Sequence, residues 1–281
     1  MKRIRKKVKS TLVLILMVSF ISIGCQSKAP APMAPTFSNK DLNEQLVMAT
    51  LWMQTAAEYR ALCYQSFNLA RMNLDSFLDS YKGDKPVAII VDADEAVIDN
   101  SAYEAFLIGQ NSGYSSKTWV PWMNAAEAKA IPGAGEFLQY ANSKGVETFY
   151  ITNRKMVGYE GTKTNLEALG FPDVDKKHLL LRTKSSNKQA RRDIVLKDYA
   201  VALYMGDNLN DFESGFAKKS VEQRFALTDE VKEAWGTKYI VLPNPSYGEW
   251  EAAVIGGNFR ASAAEKDKMR KDHLIRWNKK P

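Results

Sequence analysis

Short apolar runs, each bounded by glycine, proline or polar residues, alternate along this chain with longer stretches of helical period. The most compact is Val87–Val91 (VAIIV), uninterrupted, β-branched and too short for a helix, which predicts a buried parallel strand. Val146–Ile151, His178–Leu181, Val201–Met205 and Tyr239–Leu242 predict companion strands. Ahead of them, Leu42, Leu46, Ala49, Met53, Ala56, Cys63, Phe67, Ala70, Leu74 and Leu78 recur at three, four or seven residues. With Ser38 or Asn39 as N-cap, that period predicts one long helix or two in series, ended by Gly83. Further helices are predicted from Ile131-Pro132-Gly133 to Gly145, from Thr162 to Leu169 and from Lys188 onward, with a charged helical tail over Ala261–Lys280. Asp99–Ala130 carries no strand pattern and is rich in aromatic residues. Strands alternating with helices specify an α/β fold, a parallel sheet flanked by helices.

The chemistry gathers where strands end. Asp92 and Asp94 follow Val91 directly, two residues apart, so on extended backbone both side chains leave on one side, at the edge where open α/β sheets bind ligands. Val201–Met205 leads into a second acidic pair, Asp207 and Asp211, and Val146–Ile151 leads into Thr152 and Asn153, whose hydroxyl, amide and backbone N–H groups suit phosphate oxygens. A parallel sheet brings these ends together. One carboxylate can then attack, another can move protons, and a hard divalent cation can neutralise the set.

The motifs DADEAVIDNS (92–101), ITNR (151–154), KSSNKQARR (184–192) and GDNLNDF (206–212) resemble the haloacid dehalogenase superfamily of phosphatases. Within it, the chain is similar to the class C acid phosphatases, the outer-membrane lipoprotein e family of 5'-nucleotidases, from about Leu42 to about Ile255. The resemblance implies a Rossmannoid α/β domain over 38–281 with a smaller, mainly helical cap formed by the N-terminal helices and about 99–130. It implies Asp92 as nucleophile and Asp94 as general acid and base, with Thr152, Asn153 and Lys188 on the phosphate; Lys184 is second choice for the lysine. Mg²⁺ would be held by Asp92, Asp94 (through its backbone carbonyl), Asp207 and Asp211. Trp119, Trp122 and Tyr247 are its candidates for an aromatic cage around a nucleobase; the alternative is that such aromatics hold the cap together. Substrates would be phosphomonoesters, foremost 5'-nucleotides. The motif departs from the family at Ala96, where a threonine hydroxyl usually ties the loop. Two alternatives stand beside hydrolysis: a surface lipoprotein that binds nucleotides without turnover, and a phosphotransferase to alcohols.

Charge and the N-terminus refine this reading. Of 39 Lys and Arg residues, six fall within the first nine positions, in a basic segment followed by the apolar stretch Thr11–Ile23 and Ser-Ile-Gly-Cys. That pattern predicts a lipoprotein signal peptide over 1–24, with Cys25 acylated and a proline-rich tether over 25–37. The expected location is the bacterial cell envelope, lipid-anchored on the outer membrane. Without the leader the formal charge of +7 falls to +1, which removes the case for a nucleic-acid polymer as partner. Cys63 is the other of two cysteines and reads as a small buried hydrophobe. The oligomeric state is open, a dimer being one option.

Overall fold

The computed structural model describes residues 37–277; the expected leader, Cys25 and the tether as far as residue 36 lie outside the described residues. The first helix, α1 (Asn39–Asn43), starts from a reciprocal cap in which Ser38 and Asp41 bond each other's backbone N–H and side chain. α2 (Val47–Thr55) and α3 (Ala57–Ser80) follow in series, because Ala56 turns to extended backbone at ψ 126°. α3 ends before Gly83. Tyr81 is already extended, its N–H still bonded to the Phe77 carbonyl and its ring stacked on Phe77 at 5.2 Å.

β1 (Val87–Val91) then enters the centre of the molecule. The next segment is the cap: β2 (Ile98–Asp99), α4 (Ser101–Leu107), α5 (Ser116–Ala125) and β3 (Lys129–Ala130). β2 and β3 pair antiparallel, Ile98 opposite Ala130, and pinch the insertion at its base. Two residues per strand are too few to leave a period in the sequence. The cap has its own core of Tyr103, Leu107, Trp119 and Met123. α2 packs against α4, whereas α3 lies on the sheet and against the next helix, α6 (Ala134–Ser143). The N-terminal helices are thus divided between cap and sheet layer.

After α6 come β4 (Glu147–Lys155), α7 (Tyr159–Ala168), β5 (Leu179–Arg182), α8 (Gln189–Asp198), β6 (Ala200–Gly206), α9 (Val221–Glu230) and β7 (Tyr239–Val241). Two helices close the chain, α10 (Glu249–Val254) and α11 (Ala263–Asp272). The strands form one parallel sheet in the order β5-β4-β1-β6-β7. β1 is apolar throughout because both its faces are covered. Ile89 and Val91 pack with Cys63, Phe67 and Leu74 of α3 and with Phe137 and Leu138 of α6; Ala88 and Ile90 pack on the other side with Phe149, Tyr204, Phe212 and Val195 of α8. β4 runs past Thr152 to Lys155, four residues beyond Ile151, where the apolar run ends, and Lys155 pairs with Arg182 of β5. That extension matters for the site.

Candidate active site

The sheet delivers Asp92 in line with β1, its N–H donating to the Met205 carbonyl of β6 at 2.8 Å. The chain then folds tightly on itself. The Ala93 carbonyl accepts the Val97 and Ile98 N–H groups at 3.0 Å each, and Glu95 takes a left-handed φ of 54° to donate its N–H to the Ile98 carbonyl at 2.9 Å. Ala96 is fully buried inside this loop. A hydroxyl is missing there, yet the loop is tied by Glu95, whose Oε1 accepts the Asn100 N–H at 2.8 Å and whose Oε2 meets the Tyr247 hydroxyl.

Carboxylate oxygens of Asp92, Asp207 and Asp211 lie within 4.8 Å of one another. Lys188, at the N-terminus of α8 and 3% exposed, places Nζ 2.7 Å from Asp92 Oδ1 and 2.6 Å from Asp211 Oδ1. Lys184 is exposed, so the geometry selects Lys188. Asn244, from the loop after β7, donates to Asp207 at 2.8 Å, and the Asn208 N–H donates to Asp211 at 3.1 Å within a one-turn 3-10 helix.

One ammonium cannot balance three buried carboxylates. Burial, foremost, and the charges of Asp211 and Asp94 push the Asp92 carboxyl up to about 7 despite Lys188, and burial with Asp211 and Asp92 holds Asp207 well above its usual range. For Lys188, burial opposes the charged form, but Asp211 and Asp92 more than restore it and its pKa lies above the ordinary lysine value. Three convergent oxygen ligands with excess negative charge are the donor set of a hard divalent cation.

The cluster also explains Gly206, the last residue of β6. A Cβ built there would fall 2.3 Å from Asp211 Oδ2, so only glycine lets Asp211 fold back beside Asp207. Gly206→Ala is expected to weaken divalent-cation affinity by about 10- to 100-fold, as losses of ligand orientation do. Titrating metal-free protein with Mg²⁺ by calorimetry checks this, and an unchanged affinity would refute it.

The Asp94 carboxylate turns away from the cluster, toward β4. Its Oδ1 accepts from Arg154 Nε at 2.8 Å and from Asn100 Nδ2 at 2.9 Å, while among the described residues Oδ2 has only the Thr152 hydroxyl at 3.4 Å. Thr152 also accepts the Arg154 N–H at 3.1 Å, and Arg191 donates to the Thr152 carbonyl and to Asn153 Oδ1. Asn153 itself is exposed.

Each of the three aromatic candidates makes contacts within the protein, and Trp122 and Tyr247 remain half-buried. Trp119 is only 9% exposed, edge-on to Tyr103 at 4.8 Å, with the Arg154 guanidinium 5.4 Å from its ring centre. Trp122 donates Nε1 to Asn100 Oδ1 at 2.9 Å, and Tyr247 is engaged by Glu95. The open aromatic faces of the cap belong to Phe106 and Tyr114, 50% and 62% exposed.

The chain that carries these acids after β1 and β6, with a lysine at the start of α8, is similar to known proteins. A family profile described as HAD superfamily, subfamily IIIB (Acid phosphatase) matches residues 20–250. The chain belongs to the HAD subfamily IIIB acid phosphatases. Among solved structures, the class C acid phosphatase from Bacillus anthracis with tungstate bound is similar at 44% identity and a TM-score of 0.81, over 84% of this chain and 99% of that one. A second structure of the class C acid phosphatase from Bacillus anthracis aligns at 43% identity with the same TM-score and coverage. This class C acid phosphatase relative is therefore a phosphoric monoester hydrolase, and the reading as a binding protein without turnover is set aside. Three polar residues of the site were not anticipated from the sequence: Glu95, Asn100 and Arg154. Arg154 had a legible signal, since it stands two residues after Thr152, on the same strand face.

Proposed function

We propose that this acid phosphatase hydrolyses 5'-nucleotides with Mg²⁺ as cofactor and an aspartyl phosphate as intermediate. The observation that carries the reading is the convergence of Asp92, Asp207 and Asp211 around Lys188 at the C-terminal edge of the sheet. Asp92 Oδ1 is engaged by the Ala93 N–H at 2.8 Å and by Lys188, which leaves Oδ2 to attack phosphorus in line with the leaving oxygen. Asp94 protonates that oxygen and afterwards takes a proton from the water that cleaves the phosphoenzyme. Lys188 and the Thr152 hydroxyl stabilise the equatorial oxygens, where charge is spread. The Asp92, Asp207 and Asp211 carboxylates with the Asp94 carbonyl would hold Mg²⁺, which supplies positive charge against the repulsion between a carboxylate and a phosphate dianion. A base or other ring of the leaving group would have the exposed Tyr114 and Phe106 rings of the cap to stack on, each such contact being worth about 1–3 kcal/mol.

Phosphate release from a panel of 5'-nucleotides and from a small alkyl phosphate, with Mg²⁺ and with EDTA, tests the reading. Turnover is expected only with metal, with kcat/KM higher for nucleotides. Turnover that persists in EDTA removes the metal role, and equal kcat/KM for both ester classes removes the nucleotide preference.

A further inference from the structure

The Asp94 carboxylate presents two chemically different oxygens, and the difference is set by residues outside the four motif acids. Arg154 is 2% exposed, and its guanidinium has no freedom left: Nε donates to Asp94 Oδ1, one terminal nitrogen to Thr162 Oγ1 at 3.2 Å and the other to Asn100 Oδ1 at 3.0 Å, with Trp119 beside it. Asn100 is fully buried, and its amide orientation follows from its neighbours. Its oxygen faces two N–H donors, Trp122 Nε1 and Arg154, and its nitrogen faces two carboxylates, Asp94 at 2.9 Å and Glu95 at 3.3 Å. A flipped amide would set donor against donor and oxygen against carboxylate. Two fixed donors therefore converge on Oδ1. The Thr152 hydroxyl, whose hydrogen can rotate away, is the sole protein group near Oδ2 among the described residues.

We propose that Arg154, with Asn100 and Trp122, is the positioning unit that commits Asp94 Oδ1 to the protein and leaves Oδ2 as the oxygen that gives its proton to the leaving group. This rests on the general-acid reading of Asp94. In the first step the bond from phosphorus to the ester oxygen breaks, its electron pair goes to that oxygen, and the Oδ2 proton follows; a bond from Asp92 to phosphorus forms. The cap enters through Trp122, so a tryptophan that resembles part of a base-binding cage acts on proton transfer through Asn100. The consequence is specific. Arg154 matters in proportion to how badly the leaving oxygen needs a proton: little for a nitrophenolate, greatly for the alkoxide of a nucleoside or other alkyl ester.

The test is kcat/KM, which reports steps through phosphoenzyme formation, across p-nitrophenyl, phenyl and alkyl phosphates. The variants are Arg154→Met, Arg154→Lys and Trp122→Phe, which leaves a smaller aromatic ring without the Nε1 donor. Arg154→Met is expected to lower kcat/KM for the alkyl ester by about 10²- to 10³-fold, the range of general acid catalysis, and for p-nitrophenyl phosphate by less than about tenfold. Trp122→Phe should shift the series in the same direction by a smaller factor. Asp94→Asn should reproduce the steepened leaving-group dependence, and adding Arg154→Met to it should change that dependence no further. An equal fall for every ester in the Arg154 and Trp122 variants would overturn the positioning role and leave only a structural one. If Asp94→Asn itself showed no leaving-group dependence, the general-acid reading would fail, a result distinct from failure at Arg154 alone.

Discussion

Replacing Asp92 with asparagine is expected to lower phosphate release by about 10⁴-fold or more, the scale seen when a nucleophile is removed from a preorganised site. The metal-free protein should be no less stable for it. The reason lies in the direction of the Asp92 shift. Burial pushes this carboxyl up to about 7, far above a free aspartate near 3.9, so the folded state binds the proton more tightly than the unfolded state does. Between those values stability falls as pH rises, and above both the full loss is present. An amide of the same shape removes that pH-dependent loss and keeps the packing. Phosphate release and thermal melting in EDTA at pH 5 and pH 8 read both effects. Retained activity would remove Asp92 as nucleophile. A large fall in melting temperature would instead make the lost activity a folding defect.

Lys188→Met should have the largest effect on stability. It removes the buried ammonium 2.7 Å and 2.6 Å from two carboxylates and leaves Asp92, Asp207 and Asp211 facing one another. Breaking a buried ion pair by deleting one partner costs about 3–5 kcal/mol, and that range is expected here in metal-free protein at pH 8. Acid should rescue the variant. Without the lysine, which holds them down, the Asp92 and Asp207 carboxyls rise further, so more of the lost stability returns as pH falls from 8 toward 5 than in wild type. Mg²⁺ should rescue it as well, because a cation that binds only the folded state stabilises it by mass action. Urea melts at the two pH values, with EDTA and with Mg²⁺, give the comparison. A variant as stable as wild type at pH 8 without metal would show that Lys188 is not the counter-charge of the cluster. Activity should be lost with or without rescue of the fold, since the equatorial phosphate oxygens lose their cationic partner.

The two substitutions separate what was readable in the chain from what was not. Asp92, Asp207 and Asp211 were legible because each follows an apolar run that can only be a buried strand, and parallel strands must align their ends. Lys188 was legible only through the family resemblance of its motif, with Lys184 as second choice, and the exposure of Lys184 became evident only in three dimensions. Arg154 stayed hidden because the expected strand stopped at Thr152, although β4 continues to Lys155. Glu95 and Asn100 stayed hidden for another reason: their partners, Tyr247 and Trp122, lie 152 and 22 residues away. Nothing local marks such a pair.

By itself, then, the sequence determined the parallel strands and the acids that follow them, because strand period, turn residues and burial of both faces are local constraints on the chain. Tertiary structure alone shows which polar groups the cap aromatics meet. A tryptophan in an aromatic-rich insertion can stack on a ligand or brace a neighbour, and the choice depends on which groups lie across the fold. Here Arg154 and Tyr103 cover Trp119, and Asn100 takes the Trp122 N–H, so both rings are turned toward the network that holds Asp94. Hydrophobic pattern specifies which residues are buried; it does not specify which polar groups share that burial, because a hydrogen bond is directional and its partner can come from anywhere in the chain.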